Sequence, residues 1–169
     1  GKLFVFTAPS GAGKTTIVRH LLSSFDFLDF SVSATTRAKR AHEKEGLDYY
    51  FLSPEDFRKK VEEDEFIEWE EVYDDQFYGT LKTEVDRIWA LKKHIVFDID
   101  VRGAMSIKNI YKEKCFACFV KPPSVEILID RLKSRKTEDR ESLRKRIARI
   151  KREMLYQNNF DRILVNDML

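Results

Sequence analysis

Short hydrophobic runs alternate with amphipathic segments along this chain. Runs that are apolar at nearly every position are typical of buried strands, and they predict strands at residues 3–7, 95–99 and 115–120, with weaker candidates at 30–35, 49–52, 66–73 and 162–165. Apolar residues at helical spacing predict helices at 15–24, 81–92, 102–110 and 139–156, and two more that begin at Ser53 and Ser124. This alternation implies a parallel sheet flanked by helices.

The middle of the chain departs from this pattern. Residues 31–80 carry short strand signals but few buried runs, so we expect a small inserted lobe there rather than more of the parallel sheet. The length of 169 residues is that of one domain with small lobes inserted into it. The predicted fold class is therefore α/β, with a small mixed lobe inserted into a parallel-sheet core.

Charge is unevenly distributed, although the net charge of +2 gives no indication of a nucleic-acid-binding protein. Residues 55–75 contain 11 acidic and 3 basic side chains, a balance of −8. Residues 131–152 contain 11 basic and 3 acidic side chains, a balance of +8. Two solvated helical faces would explain both segments, and so would two lobes of which one gathers phosphates.

Hydropathy and cysteine usage indicate a cytoplasmic protein. No apolar run approaches the ~18 residues that a membrane span needs, and no signal peptide is recognisable. Cys115 and Cys118 have a C-x-x-C spacing, but three residues along a strand place two side chains on opposite faces. We therefore expect two reduced core thiols rather than a metal or redox site.

The strongest chemical signal follows the first predicted strand. Residues 8–15 read APSGAGKT, which departs from the phosphate-binding pattern G-x-x-x-x-G-K-[ST] only at its first position. In this pattern main-chain amides and the amino end of the next helix bind phosphates, Lys14 supplies a full positive charge, and the Thr15 hydroxyl coordinates Mg²⁺. Ala8 precedes a proline and can adopt extended backbone, so we expect a negative φ there and an intact loop.

Two acids, Asp98 and Asp100, follow the buried strand at 95–99. Parallel sheets bind their ligands at the carboxyl ends of the strands, which places both acids near the loop. We expect Asp98 to hold Mg²⁺ through water, together with Thr15. Capping of the strand end is the alternative role for each acid.

A wider set of segments resembles guanylate kinases over essentially the whole chain. The segments are residues 30–51 (FSVSATTRAKRAHEKEGLDYYF), 66–69 (FIEW), 77–80 (FYGT), 97–100 (FDID), 131–138 (RLKSRKTE) and 166–167 (ND). The resemblance implies transfer of the γ-phosphoryl group of Mg-ATP to GMP, giving ADP and GDP, in purine nucleotide metabolism. It also implies a P-loop NTPase-type core at 1–30, 81–125 and 150–169, a GMP-binding lobe at 31–80 and a helical lid at 126–149.

The same resemblance implies which residues bind GMP. They are Arg37, Arg40, Glu43, Tyr49 and Tyr78 around the phosphate, and Ser33, Glu68, Thr80 and Asp100 around the guanine. Arginine forks match phosphate oxygens, and a carboxylate such as Glu68 accepts both guanine donors, at N1 and at the exocyclic amine. Adenine would leave Glu68 unpaired, and sites built on such pairs reject the wrong partner by ~10⁴-fold.

Other residues are implied to contact ATP and the transferred phosphoryl group. The ATP-binding set is Ser10, Gly11, Ala12, Gly13, Lys14, Thr15, Thr16, Arg131 and Asn166, and the catalytic set is Lys14, Arg37, Arg135 and Arg146. The catalytic set surrounds the transition state with positive charge, and no protein nucleophile is expected. A salt-bridged surface helix is the alternative reading of the lid arginines.

The implied partners are small molecules. ATP and Mg²⁺ are the implied co-substrate and cofactor, GMP and dGMP the acceptors, with no nucleic-acid or membrane partner, in a monomer or homodimer. Three departures from the family's usual sequence are Ala8, Lys39 in place of a frequent proline, and His42 in place of a frequent glycine. Family members normally continue past residue 169 into a terminal helix.

Three other functions are compatible with parts of this pattern. A guanylate-kinase-like module that binds peptides would reuse the inserted lobe, but such modules often lose the loop lysine or the metal acid, which this chain keeps. A kinase of sugar phosphates would share the loop and lack the guanine acceptors. A nucleic-acid-binding ATPase would use the basic segment 131–152, which the acidic segment balances.

Overall fold

The computed structural model describes residues 1–9, 11–134 and 140–167, apart from the side chains of 131–134, 140 and 142. Its strands are β1 (Leu3–Thr7), β2 (Leu28–Phe30), β3 (Ala34–Thr35), β4 (Tyr50–Phe51), β5 (Phe66–Tyr73), β6 (Gln76–Leu81), β7 (His94–Asp98), β8 (Cys115–Lys121) and β9 (Arg162–Val165). Its helices are α1 (Lys14–Ser24), α2 (Pro54–Glu62), α3 (Lys82–Ala90), α4 (Val101–Tyr111), α5 (Val125–Ser134) and α6 (Arg140–Met154). Short 3₁₀ helices lie at Lys112–Lys114 and Gln157–Asn159.

Five parallel strands form the central sheet, in the order β2-β7-β1-β8-β9. The middle strand β1 has Val5 opposite Phe97 of β7 and Ala117 of β8, and all three residues are fully buried. Burial on both faces explains why these strands read as continuous apolar runs in the sequence. The predicted parallel sheet with flanking helices is confirmed.

Helices cover both faces of this sheet. Helices α3 and α4 pack on one face through residues such as Ile88 and Ile107, and α1 packs on the other through Val18. Cys115 belongs to the first hydrophobic cluster and Cys118 to the second, so the two thiols lie on opposite faces as predicted. Both are buried and free, and burial raises the pKa of each thiol, which keeps them neutral.

A second, mixed sheet of four strands has the order β4-β3-β6-β5. Strand β3 is parallel to β4 and antiparallel to β6, which is antiparallel to β5. Helix α2 begins as predicted, because the Ser53 hydroxyl accepts a hydrogen bond from the Asp56 amide at 3.0 Å, and it packs on this sheet through Phe57. The Phe57 and Phe66 rings stack with their centroids 4.4 Å apart.

Two elements differ from the sequence prediction. The strand expected at residues 30–35 is divided: β2 ends at Phe30 in the central sheet, and β3 begins at Ala34 in the small sheet. The sequence pattern does not predict strand β6, although residues 77–80 belong to one of the segments that resemble guanylate kinases. At Gly79 there is no room for a side chain, since a Cβ there would lie 2.8 Å from the Phe66 ring and 2.9 Å from the Glu68 carbonyl oxygen.

A buried acid attaches the small sheet to the core. Glu84 of α3 is 2% exposed, and it accepts hydrogen bonds from the Val32 amide at 3.0 Å, the Tyr50 hydroxyl at 2.7 Å and the Arg87 guanidinium at 3.0 Å. Burial alone would raise the pKa of Glu84, but these donors lower it below its ordinary value. The charged form is therefore stable in the fold and holds β4 and the segment before β3 against α3.

Within the part of the chain described, no helix has both the length and the apolar character that crossing a membrane requires.

Candidate active site

A cavity of about 470 Å³ opens at the carboxyl ends of β1 and β7. The loop after β1, the small sheet and α6 all contribute to its lining. It brings together most of the predicted site residues: Gly11, Ala12, Gly13, Lys14, Thr15, Thr16, Ser33, Arg40, Tyr49, Glu68, Tyr78, Asp98, Asp100 and Arg146. The residues expected to bind two different nucleotides therefore face one space.

Four further predicted residues lie behind this lining and contact it. Arg37 donates to the Tyr78 hydroxyl at 3.2 Å, and Glu43 accepts from the Arg40 amide at 2.8 Å. The other two are Thr80, bonded to Glu68 at 2.6 Å, and Asn166, bonded to the Ala12 carbonyl oxygen at 2.9 Å. Of the remaining predicted residues, Ser10 and Arg135 lie outside the described residues, and so does the side chain of Arg131, whose main chain is part of α5.

The loop between β1 and α1 has the backbone that its glycines predict. Gly11 has φ of 89° and Gly13 has φ of 86°, values that a residue with a Cβ rarely adopts. Ala8 is not among the described residues with positive φ, as expected for a residue before proline. Helix α1 begins at Lys14 without a side chain capping its amino end, so its first-turn amides and the positive end of its dipole remain available to an anion.

Lys14 and Thr15 both meet Asp98 at the end of β7. The Lys14 ammonium contacts one Asp98 carboxylate oxygen and donates to the Ile99 carbonyl oxygen at 3.2 Å. The Thr15 hydroxyl donates to the other Asp98 oxygen at 2.8 Å. A hydroxyl beside a carboxylate suits Mg²⁺, which binds few protein oxygens and keeps water and phosphate ligands. No cluster of three or more His, Cys, Asp or Glu residues that would enclose a metal ion occurs among the described residues.

An arginine fork organises the far end of the cavity. Arg37 is bidentate on Glu43, at 2.8 and 3.0 Å, and its guanidinium lies 5.3 Å from the centre of the Tyr49 ring. The Arg37 fork lowers the pKa of Glu43 to about 2, so this carboxylate is ionised at any physiological pH. Glu43 thus orients Arg37 and the Arg40 main chain.

Two phenols complete this end. Tyr49 and Tyr78 meet edge to face, with centroids 5.9 Å apart, and both line the cavity. Burial raises the pKa of Tyr49 to about 12, so its hydroxyl stays neutral and can donate a hydrogen bond to an anion. Arg40 lines the same cavity, and a guanidinium and two hydroxyls are donors that suit an anion such as phosphate.

A buried carboxyl lies between the small sheet and α4. Glu68 of β5 is 9% exposed, and its Oε1 accepts from Thr80, which is fully buried. Burial, the largest cause, raises the pKa of Glu68 to about 7; the Thr80 bond opposes this rise and the nearby Asp100 charge contributes to it. Its Oε2 lies where a Cβ on Gly103 would approach to 2.6 Å, so only glycine leaves room for it.

Sequence reasoning missed Arg149 and Glu153 of α6, which also line the cavity. Arg149 donates to Asp100 at 3.1 Å and to Glu153 at 2.6 Å. Burial opposes the charge on Arg149, but these two carboxylates raise its pKa above the ordinary value. A signal was present, since Arg146 and Arg149 are three residues apart and share one face of a helix.

Known proteins resemble this chain over nearly its full length. The family model described as guanylate kinase matches residues 1–169. The guanylate kinase of Porphyromonas gingivalis is 48% identical over 169 residues, which cover 99% of this chain and 90% of the relative. That of Salinibacter ruber is 50% identical over 168 residues, which cover 99% of this chain and 88% of the relative.

A solved structure extends the likeness to three dimensions. The crystal structure of guanylate kinase from Anaplasma phagocytophilum has a TM-score of 0.78 and 29% identity, covering 99% of this chain and 78% of that one. The family model covers the full chain, and relatives of 48% and 50% identity cover nearly all of it, so the chain belongs to the guanylate kinase family.

Proposed function

We propose that this chain transfers the γ-phosphoryl group of ATP to GMP, giving ADP and GDP. The observation that carries the proposal is one cavity lined both by the loop at residues 11–16 and by the buried carboxyl of Glu68. The first is a site for a polyphosphate, and the second matches the donor edge of guanine. Guanylate kinases similar over nearly the whole chain support the same reaction.

ATP is proposed to bind at the loop. The amides of residues 11–16 surround the phosphates, Lys14 contacts the β- and γ-phosphates, and Ser10, Arg131 and Asn166 complete the site. The Asn166 bond to the Ala12 carbonyl oxygen supports its placement beside the loop. The Lys14 ammonium needs little movement to bind a phosphate, since it already lies at the carboxyl end of β7.

Thr15 and Asp98 are proposed to hold Mg²⁺, with water between Asp98 and the ion. When bound, the ion would neutralise part of the negative charge on the phosphates of ATP. Asp98 also has a second role, because its contacts with Lys14 and Thr15 orient both side chains towards the phosphate site.

GMP is proposed to lie across the small sheet. Its phosphate takes hydrogen bonds from Arg37, Arg40, Tyr49 and Tyr78, and Glu43 holds the Arg37 fork in place. Its base lies against Ser33, Glu68 and Asp100, with Thr80 behind Glu68. Thr80 acts through Glu68: its hydroxyl occupies one Oε1 lone pair and fixes the plane of the carboxylate that accepts the N1 and amine protons of guanine.

Transfer needs alignment and charge rather than a protein nucleophile. The acceptor oxygen of GMP must lie in line with the γ-phosphorus, and Lys14, Arg37, Arg135 and Arg146 are proposed to stabilise the charge of the transition state. We propose that residues 31–80 form the GMP lobe and residues 126–149 the lid, which close over the core at 1–30, 81–125 and 150–169. Closure excludes water and so prevents hydrolysis of ATP.

The setting of the reaction is proposed as well. The two free thiols support a reducing compartment, and the cytoplasm is the proposed location. We propose dGMP as a second acceptor and a monomer or homodimer as the working state.

The experiment is a panel of acceptors incubated with Mg-ATP, with products separated by ion-exchange chromatography. GMP and dGMP should be converted to diphosphates, whereas AMP and ribose 5-phosphate should remain unchanged. Without an acceptor, the rate of ATP hydrolysis should be much lower than the rate of transfer to GMP. Conversion of ribose 5-phosphate, or no conversion of GMP, would reject the proposed function.

A further inference from the structure

We infer that Arg149 is a positioning residue for guanine recognition: it sets the placement of Asp100 relative to strand β5, which carries Glu68. The inference rests on the proposed function and adds to it a residue that neither the loop motif nor the GMP motifs contain. Arg149 lies on α6, outside the small sheet. Its guanidinium nevertheless contacts Asp100 and also β5, the strand that carries Glu68.

The guanidinium binds three different elements at once. Its Nη2 donates to Oδ2 of Asp100 at 3.1 Å, and its Nη1 donates to the Val72 carbonyl oxygen at 2.5 Å. Its Nε donates to Glu153 one turn along α6 at 2.6 Å, and its face covers the Tyr73 ring at 5.3 Å. Every nitrogen is engaged, and the side chain is only 19% exposed, so the group is fixed in one orientation.

These contacts leave Asp100 available to a ligand. Its Oδ1 accepts from the Gly103 amide at 2.8 Å and caps α4, and its Oδ2 accepts from Arg149. A carboxylate has about four lone-pair sites, so each oxygen keeps one for the guanine. The two fixed donors determine the direction in which those remaining lone pairs point.

The Val72 contact extends the same control to Glu68. Glu68 and Val72 are four residues apart on β5, both line the cavity, and alternate residues of a strand share a face. Val72 lies at a register shift in the pairing of β5 with β6, where its carbonyl oxygen accepts from Arg149. The Arg149 guanidinium therefore links Asp100, the cap of α4, to β5, and in this way fixes the distance between Asp100 and Glu68.

Charge supports the same role. Glu68, Asp100 and Glu153 all line the cavity, and Arg149 is the cation that pairs with Asp100 and Glu153. Burial raises the pKa of Glu153, and the Arg149 charge partly offsets this. Without Arg149, Asp100 and Glu153 would repel each other and turn away from their present positions.

The test compares Arg149→Gln and Arg149→Lys with the matched control Arg144→Gln, an exposed residue of the same helix. KM for GMP, KM for ATP and kcat are measured, together with the preference for GMP over inosine monophosphate, which lacks the exocyclic amine. In Arg149→Gln the KM for GMP should rise about tenfold or more, as for a lost charged hydrogen bond, and KM for ATP should change less than about twofold. The preference for GMP should fall by a similar factor.

The KM for GMP of Arg149→Lys should lie between those of Arg149→Gln and wild type, because one ammonium cannot donate to three acceptors as a planar guanidinium does. The control should match wild type. Unchanged KM for GMP in both Arg149 variants, or equal rises in KM for GMP and ATP, would overturn the inference. If circular dichroism shows that the Gln variant is unfolded, the Lys variant decides by the same criteria. Absence of GMP phosphorylation by wild type would instead reject the proposed function, so the two failures are distinguishable.

Discussion

Replacing Glu68 with glutamine should stabilise the fold at alkaline pH while removing guanine recognition. The carboxyl is 9% exposed and its pKa is raised from 4.5 to about 7, with burial as the largest cause. A folded-state pKa above the unfolded value means that the native protein binds the proton more tightly. The stability from this group is therefore complete below pH 4.5 and is lost as the pH rises through 7.

The size of the effect follows from the two pKa values. At about 1.4 kcal/mol per pKa unit, the difference between 4.5 and about 7 amounts to roughly 3 kcal/mol above pH 7. Glutamine has nearly the same shape, keeps an acceptor for the Thr80 hydroxyl and carries no charge to bury. The variant should therefore exceed wild type in unfolding free energy at pH 8 by up to roughly 3 kcal/mol, and should match it near pH 4.5.

Urea unfolding of both proteins at pH 5 and pH 8 measures this difference. Glu62→Gln, a change at an exposed acid of α2, is the control, and it should show no pH-dependent gain. Phosphorylation of GMP by Glu68→Gln should fall by ~10²-fold or more, since an amide cannot accept both guanine donors. A stability difference that does not grow from pH 5 to pH 8 would refute the burial argument, and undiminished use of GMP would refute the recognition argument.

Two further substitutions and a pH profile test separate parts of the site. Lys14→Met should lower kcat on the order of 10³-fold with an unchanged circular dichroism spectrum, and full activity would remove Lys14 from the mechanism. Gly103→Ala should raise KM for GMP about tenfold and leave KM for ATP unchanged, because its Cβ would meet Oε2 of Glu68 at 2.6 Å. A KM for GMP equal to that of wild type would contradict this. Below pH 7, kcat/KM for GMP should fall as Glu68 takes up its proton, and this decline should be weaker in Glu68→Gln, which retains only the titration of the GMP phosphate.

Much of the fold was predictable because its signals are local. Strands β1, β5 and β9 have the predicted bounds, since each is a run of apolar or alternating residues, and β1 ends at a glycine-rich loop and β5 at a turn. The loop between β1 and α1 was predictable for the same reason: its glycines and lysine lie within residues 11–14, and the positive φ values at Gly11 and Gly13 follow from residue type.

Other features depend on contacts between distant segments. Strand β6 contains polar residues and Gly79, whose place is set by the Phe66 ring across the sheet. The roles of Glu43 and Thr80 as supports for Arg37 and Glu68 depend on folding of the lobe. Arg149 is one of 11 basic residues in the segment 131–152, and periodicity alone cannot tell which of them meets Asp100.

One assay joins both halves of the site: release of ADP from Mg-ATP, followed by a coupled enzyme, with GMP or with AMP as acceptor at equal concentration. The proposed phosphate-binding loop and the proposed purine pocket line one cavity, and together they predict rapid ADP release with GMP and a kcat/KM for AMP lower by ~10⁴-fold. ADP release that is independent of GMP, or that AMP supports equally well, would contradict that arrangement.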